Sequence, residues 1–203
     1  MAKYRLEKGR PSSDEDRLPK EIRVYDLLDS LGIEYWRADH PDAHADTMEA
    51  CKEIDAVLQA TVVKNLFLTN RQHTQYYLLM MPGEKVFKTK EISSQIQSAR
   101  LSFGTPEEME KYLDCTPGSS SVMGLMNDPE NHVQLIVDRD ILDGEFIGCH
   151  PCINTSSLKI RTKDIFETFL HAVKHRMMIV KLTGEDSPAP ADVRPEAAVP
   201  AAR

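Results

Sequence analysis

No stretch of this 203-residue chain holds the ~20 consecutive apolar residues that a bilayer span needs, so a membrane protein is not expected. The N-terminus, MAKYRLEKGRPSSDEDRLPK, lacks the apolar core of a secretory signal. Basic residues do not prevail: 25 Lys and Arg stand against 32 Asp and Glu, a formal charge of -7. That balance excludes a protein that coats DNA through a broad phosphate footprint, though not a local basic patch that grips one end of an RNA. Cysteine is scarce, with only Cys51, Cys115, Cys149 and Cys152. Without a secretory signal these predict reduced thiols and a cytoplasmic location. Several catalytic signatures are missing as well: there is no P-loop, no G-x-G-x-x-G, no H-E-x-x-H and no G-x-S-x-G elbow. Ser119, Ser120 and Ser121 are adjacent, but nothing in the sequence sets a base beside them. An enzyme with this chain is expected to work without a side-chain nucleophile.

What is present is an ordinary globular composition, 41% hydrophobic and 28% charged. Residues 1–18 are polar and mixed in charge and predict a flexible arm. Residues 183–203 are rich in Pro and Ala and predict a disordered tail. Between them, residues 19–182 are of single-domain size. Apolar spacing predicts helices over 19–31, 47–58, 89–98, 105–113 and 161–171. Strands are predicted over 33–38, 60–68, 76–81, 119–123, 133–138, 145–148 and 155–160, with 60–81 as a hairpin. The fold class expected is α/β, a mixed, largely antiparallel sheet with helices packed on it.

Three segments carry candidate chemistry. The strand TVVKNLFL, residues 61–68, sets Lys64 and Asn65 among apolar neighbours. Desolvating an ammonium is expensive, so Lys64 either snorkels from a strand edge or points into a pocket that takes an anion, and the strand alone leaves both open. The loop CTPGSSSVMGLMNDPENH, residues 115–132, contains Gly124, which interrupts the strand pattern. A glycine there allows a bulge whose N–H groups hold a carbonyl or oxyanion, or it belongs to a plain connecting loop. Third, His150 lies between Gly148-Cys149 and Pro151, as an acid, a base, a phosphate ligand or a structural loop residue. The C-x-x-C formed by Cys149 and Cys152 invites a zinc or redox reading. A structural zinc needs four ligands and no second pair is in view; a redox pair should open a helix, whereas INTSSLKI reads as turn and strand. Two small thiols near a core or pocket is the favoured reading.

Taken together, VVKNLFL, LLMMPGEK, SARLSFG, CTPGSSSVMGLMND and GCHPCINTSSLKI resemble the YbaK/ProX aminoacyl-tRNA deacylases, nearest their free-standing prolyl-tRNA editing branch. The likeness runs from about residue 20 to 181 and rests on several separate motifs in the right order. It implies trans-editing: hydrolysis of Ala-tRNA(Pro), or in a sister branch Cys-tRNA(Pro), on an α/β fold with no metal or organic cofactor. The partners implied are the acceptor end of tRNA(Pro) carrying the wrong amino acid, with prolyl-tRNA synthetase as a further candidate, and neither DNA nor membrane. Carried over by motif, Lys64, Gly124 and His150 are the catalytic set. Asn65, Arg71, Arg100, Ser120 and Ser121 form the set that holds substrate and tRNA. Many members carry a lysine soon after the VKNLFL strand; here Thr69, Asn70 and Arg71 occupy that stretch, with Arg71 as the substitute.

The chemistry suits these residues. An aminoacyl-tRNA is an activated ester beside a ribose hydroxyl, so an enzyme need only orient water, bind the carbonyl and neutralise nearby charge. Lys64 then binds the terminal phosphate or adenosine, backbone near Gly124 polarises the ester, and His150 shapes the pocket or moves a proton. Missing methylenes give a synthetase only about 1–3 kcal/mol of discrimination, so a second pocket that admits alanine and excludes proline completes a double sieve. A module that binds aminoacyl-tRNA without turnover is the alternative from another class.

Overall fold

The computed structural model describes residues 3–41 and 48–184. A short strand, β1 (Glu7–Lys8), precedes the first helix, α1 (Pro19–Ser30). Proline opens α1, where its missing N–H costs nothing, and Val24, Tyr25 and Leu28 form its buried stripe. The helix stops in a Schellman turn: the Gly32 N–H bonds Asp29 O, the Ile33 N–H bonds Leu28 O, and Gly32 takes φ +65°. β2 (Tyr35–Asp39), α2 (Met48–Leu58), β3 (Thr61–Asn70), β4 (Tyr76–Pro82), α3 (Thr89–Gln95), β5 (Leu101–Phe103) and α4 (Pro106–Leu113) follow. Thr105 and Glu108 close a capping box at the start of α4, each side chain accepting the other's backbone N–H. Next come a 3₁₀ turn (Val122–Asn127), β6 (Val133–Asp138), a second 3₁₀ turn (Arg139–Asp143), β7 (Phe146–Cys149) and β8 (Ser156–Arg161). A π-helical stretch (Asp164–Phe169) runs into α5 (Leu170–Ala172), and β9 (Met177–Val180) is the last strand.

The strands form one sheet in the order β1-β2-β8-β7-β3-β4-β6-β9, with β5 also paired to β3. Only β3–β7, β4–β6 and β6–β9 are parallel; the other pairings are antiparallel. The class is α/β with a mixed, largely antiparallel sheet. β4 is apolar at nearly every position because helices or loops cover both its faces: Leu78 and Met80 join one core cluster, Leu79 and Met81 the other.

β3 organises the site. On one side it runs against β4 from Val63 to Thr69. On the other it is shared: Thr61 and Val62 pair with β7, and Leu68 to Asn70 pair with β5. Between those two partners, no strand among the described residues covers Val63 to Leu66. The sheet has a gap there, directly over Lys64 and Asn65.

The structure departs from the sequence expectation in several places. Residues 119–123 are not a strand; Ser121 caps a 3₁₀ turn by accepting the Met123 N–H. Val122, Met123, Gly124 and Leu125 are all buried in succession, which a two-faced strand with one wet side does not allow. The helix predicted over 161–171 forms, but through π-type turns. β5 and β9 are too short and too lightly patterned to stand out in the sequence. The N-terminal segment, predicted as a flexible arm, is tied down from residue 4: Tyr4 is buried beside Ala38, Ile54 and Leu58, and β1 pairs with Trp36 and Arg37. The predicted tail lies outside the described residues beyond Gly184.

Charge holds that N-terminal segment. Arg37, only 3% exposed, donates to Glu7, Asp39 and the Gly9 carbonyl; Arg17 donates to Asp39 and to the buried Glu21. Burial works to raise the Asp39 carboxyl, but Arg17 and Arg37 outweigh it and hold the group at about 2, against an ordinary 3.8. Because the folded value is the lower one, the stabilisation is complete above the ordinary value and is lost as pH falls through about 2. Asp39→Asn should therefore be less stable than the native protein at neutral pH. Its urea midpoint should also fall less on acidification across that window, as fluorescence-monitored unfolding at a series of pH values will show.

Candidate functional site

The gap in the sheet opens into a cleft of about 560 Å³. β3 supplies Lys64 and Asn65, the loop before the first 3₁₀ turn supplies Ser120, and the turn after β7 supplies His150. α2 forms the apolar wall with Ile54 and Leu58, which Tyr4 of the N-terminal segment packs against. Four residues singled out from sequence are thus brought together although 86 positions separate Lys64 from His150.

Lys64 is exposed, and its ammonium donates to the Lys85 carbonyl at 3.0 Å. It emerges at an uncovered stretch of strand and borders the cavity. Lys85 itself is structural. Its ammonium lies 2.8 Å from the fully buried Asp138 and 2.7 Å from Asp140, which locks the turn after β4 under Lys64.

His150 is fixed at the wall. Its Nδ1 lies 2.9 Å from the Ser156 carbonyl oxygen. A carbonyl only accepts, so Nδ1 carries the proton and Nε2 of the neutral ring is left as the acceptor. Burial holds the ring below its ordinary pKa; the Ser156 carbonyl opposes this and the nearby His40 ring adds to it. At neutral pH His150 is therefore an uncharged imidazole, able to accept a proton. Behind it, Ser157 Oγ lies 3.4 Å from His150 Nδ1 and 2.9 Å from Nε2 of the wholly buried His40.

Asn65 and Ser120 line the cleft, and their Oδ1 and Oγ are buried without a hydrogen-bond partner, as are Tyr4 OH, Ser93 Oγ and Ser156 Oγ elsewhere among the described residues. An unsatisfied buried polar atom costs about 1–3 kcal/mol, so each of the two lining the cleft would gain from a partner that reached it. Burial pushes the Cys149 thiol up to about 12, against a smaller opposing effect of the Ser121 hydroxyl. Among the described residues, no three His, Cys, Asp or Glu side chains gather to hold a metal ion.

The remaining predicted residues lie elsewhere. Ser121 is buried and spends its hydroxyl on the cap of the 3₁₀ turn. Gly124 does not line the cleft: its N–H bonds the Ser121 carbonyl, and it lies under the end of α4. A Cβ at this position would meet Leu113 Cβ and O at 2.9 Å and Cys115 Sγ at 3.1 Å, so glycine serves close packing here rather than a carbonyl. Gly118 borders the cleft instead. Arg71 and Arg100 are exposed and flank the paired Asn70 and Leu101, about 20 Å along β3 from Lys64 at 3.3 Å per residue. Asp55, His40 and Ser157 escaped the sequence reading. His40-Pro41 repeats the His150-Pro151 dipeptide, the one signal that pointed to His40.

The fold is α/β, and its cleft is lined by a neutral imidazole, a lysine, an asparagine and a serine. Residues 42–168 match the model of the aminoacyl-tRNA editing domain, more than half of the chain, and the chain belongs to that family. The "Prolyl-tRNA editing protein ProX" of Acetoanaerobium sticklandii is 29% identical over 138 residues, 68% of this chain and 83% of that protein. The "Prolyl-tRNA synthetase associated domain-containing protein 1" of Danio rerio is 26% identical over 165 residues, 80% of this chain and 86% of its own length. A crystal structure of a candidate trans-editing enzyme for prolyl tRNA synthetase shares the fold with a TM-score of 0.58 at 17% identity, covering 81% of this chain and 98% of that one. None of the described helices is long and apolar enough to cross a membrane.

The packing around Gly124 generates a test. Gly124→Ala should destabilise the protein by about 1–3 kcal/mol through overpacking against Leu113. Ligand binding in the cleft should be unchanged in the fraction that stays folded, as urea denaturation and ligand titration will read separately.

Proposed function

We propose that this protein is an aminoacyl-tRNA deacylase that clears alanine from mischarged tRNA(Pro) in trans. The observation that carries this reading is the cleft in which Lys64, Asn65, Ser120 and His150 meet, with Asn65 Oδ1 and Ser120 Oγ buried and unpaired. Family membership and the names of its relatives support it. The volume suits a terminal nucleoside with a small acyl group. Lys64 at the rim takes the phosphate or adenosine side. The Ser120 hydroxyl and nearby loop backbone polarise the ester carbonyl. His150 Nε2 accepts a proton from the attacking water or from the ribose hydroxyl that directs it. The water oxygen bonds to the carbonyl carbon, the bond to the ribose oxygen breaks, and that oxygen takes a proton, leaving free amino acid and tRNA. Arg71 and Arg100, exposed at the far end of β3, would hold the acceptor stem through its phosphates.

A covalent route is the second reading, because Ser157 Oγ lies 2.9 Å from His40 Nε2, within reach of an activating base. Ser157 is only 4% exposed, which favours the direct route.

The test is deacylation of Ala-tRNA(Pro), Cys-tRNA(Pro), Pro-tRNA(Pro) and Ala-tRNA(Ala) by the purified protein. Selective loss of Ala-tRNA(Pro) is expected, slowed about a hundredfold in Lys64→Ala. Preference for Cys-tRNA(Pro) would keep the chemistry and change the substrate; no hydrolysis of any of the four would overturn the enzyme reading. A burst of acyl-enzyme that disappears in Ser157→Ala would favour the covalent route.

A further inference from the structure

Asp55 lies on α2 between the apolar Ile54 and Leu58, and all three border the cleft. Its carboxylate has no hydrogen bond or ion pair among the described residues. The ammonium of Lys64, on the same cleft, rests on the Lys85 carbonyl rather than on Asp55. Burial alone raises the Asp55 carboxyl above its ordinary pKa, with no donor offsetting it. A half-buried carboxylate without a partner is a cost unless a cation or donor reaches it when the site is filled. Asn65 Oδ1, the second unpaired acceptor in the cleft, is likewise a group that only a donor can satisfy. Glu84 also borders the cleft but is exposed, where an ion pair is worth little.

We propose that Asp55, with Asn65 Oδ1, receives the α-ammonium group of the aminoacyl ester, making the site selective for substrates with a free amino group. The inference rests on the deacylase reading above and assigns the end of the substrate that faces α2. Cation and anion receptors then sit apart in one cleft: Lys64 takes the phosphate side, and Asp55 the amine. An α-ammonium brings three donors and a positive charge, which match one carboxylate and one amide oxygen. Replacing the nitrogen by a hydroxyl keeps the size of the acyl group but removes the charge and leaves one donor in place of three, so Asp55 would gain only a neutral hydrogen bond.

The experiment uses two stable nucleoside probes that cannot be hydrolysed by ester cleavage, 3′-alanylamino-3′-deoxyadenosine and its lactyl counterpart, in which a hydroxyl replaces the amine. Native protein, Asp55→Asn and Asp55→Glu are titrated with each by NMR. Native protein should bind the alanyl probe about tenfold more tightly than the lactyl probe, as expected for a hydrogen bond to a charged group. Asp55→Asn should erase that preference without weakening the lactyl probe, and Asp55→Glu should keep it in part. Absence of a preference in the native protein, failure to bind either probe, or equal weakening of both probes in Asp55→Asn would overturn the proposal. The comparison within the native protein decides the matter even if a variant does not fold. Hydrolysis of Ala-tRNA(Pro) by native protein, measured in parallel, reports on the deacylase reading separately, since binding preference and turnover fail independently.

Discussion

The site depends on how one strand is shared. β3 pairs fully with β4 on one side, but on the other its start belongs to β7 and its end to β5. A continuous partner there would have occupied the backbone of Val63 to Leu66 and covered Lys64 and Asn65. Splitting the edge leaves that stretch of an otherwise buried sheet open. It also brings the loop before the first 3₁₀ turn and the turn after β7 to the same place. The turn after β4 is held beneath by Lys85 on the buried Asp138, so the rim that supports Lys64 is fixed by a buried charge pair.

Two residues that line this opening, Asn65 and Ser120, carry a buried polar atom without a partner, and so do Tyr4, Ser93 and Ser156 away from its lining. Asp138 is compensated, the capping box of α4 is closed, and the N-terminal charges are matched. Asn65 Oδ1 and Ser120 Oγ are not. His150 is complete on Nδ1 and open on Nε2. Preorganisation in the cleft rests instead on the fixed imidazole of His150, held through Nδ1 by the Ser156 carbonyl with Nε2 left as acceptor.

Helix starts and hairpins were legible because their signals are local. Pro19, Gly32 and the T-P-E-E run at Thr105 act within one turn of the chain, and the structure places α1 and α4 accordingly. The stretch at residues 119–123 misleads because its apolar run suits a strand, while Ser121 and the spacing of Val122, Met123, Leu125 and Met126 suit a helical turn; burial on every side decides for the turn. The N-terminal segment reads as solvated because, apart from Arg10 with Asp14 and Arg17 with Glu21, its charges find their partners far along the chain. Those partners, Asp26, Asp29, Asp39 and Arg37, come from α1 and β2. Gly124 shows the same limit: a glycine required by a ligand and one required by a packed leucine look alike in one dimension.

By itself the sequence determined the α/β class, most element positions, the family, and the candidacy of Lys64, Asn65, Ser120 and His150. All of these follow from local spacing or from motifs in a fixed order. Only the tertiary structure decided which of the candidates share a cleft, that Gly124 and Ser121 pack beneath it, and that Arg71 and Arg100 lie at the far end of β3. It alone revealed Asp55, Ser157 and His40. Those outcomes depend on strand register, on the split edge of β3 and on which buried atoms remain unpaired, and each is set by contacts between residues far apart in the chain.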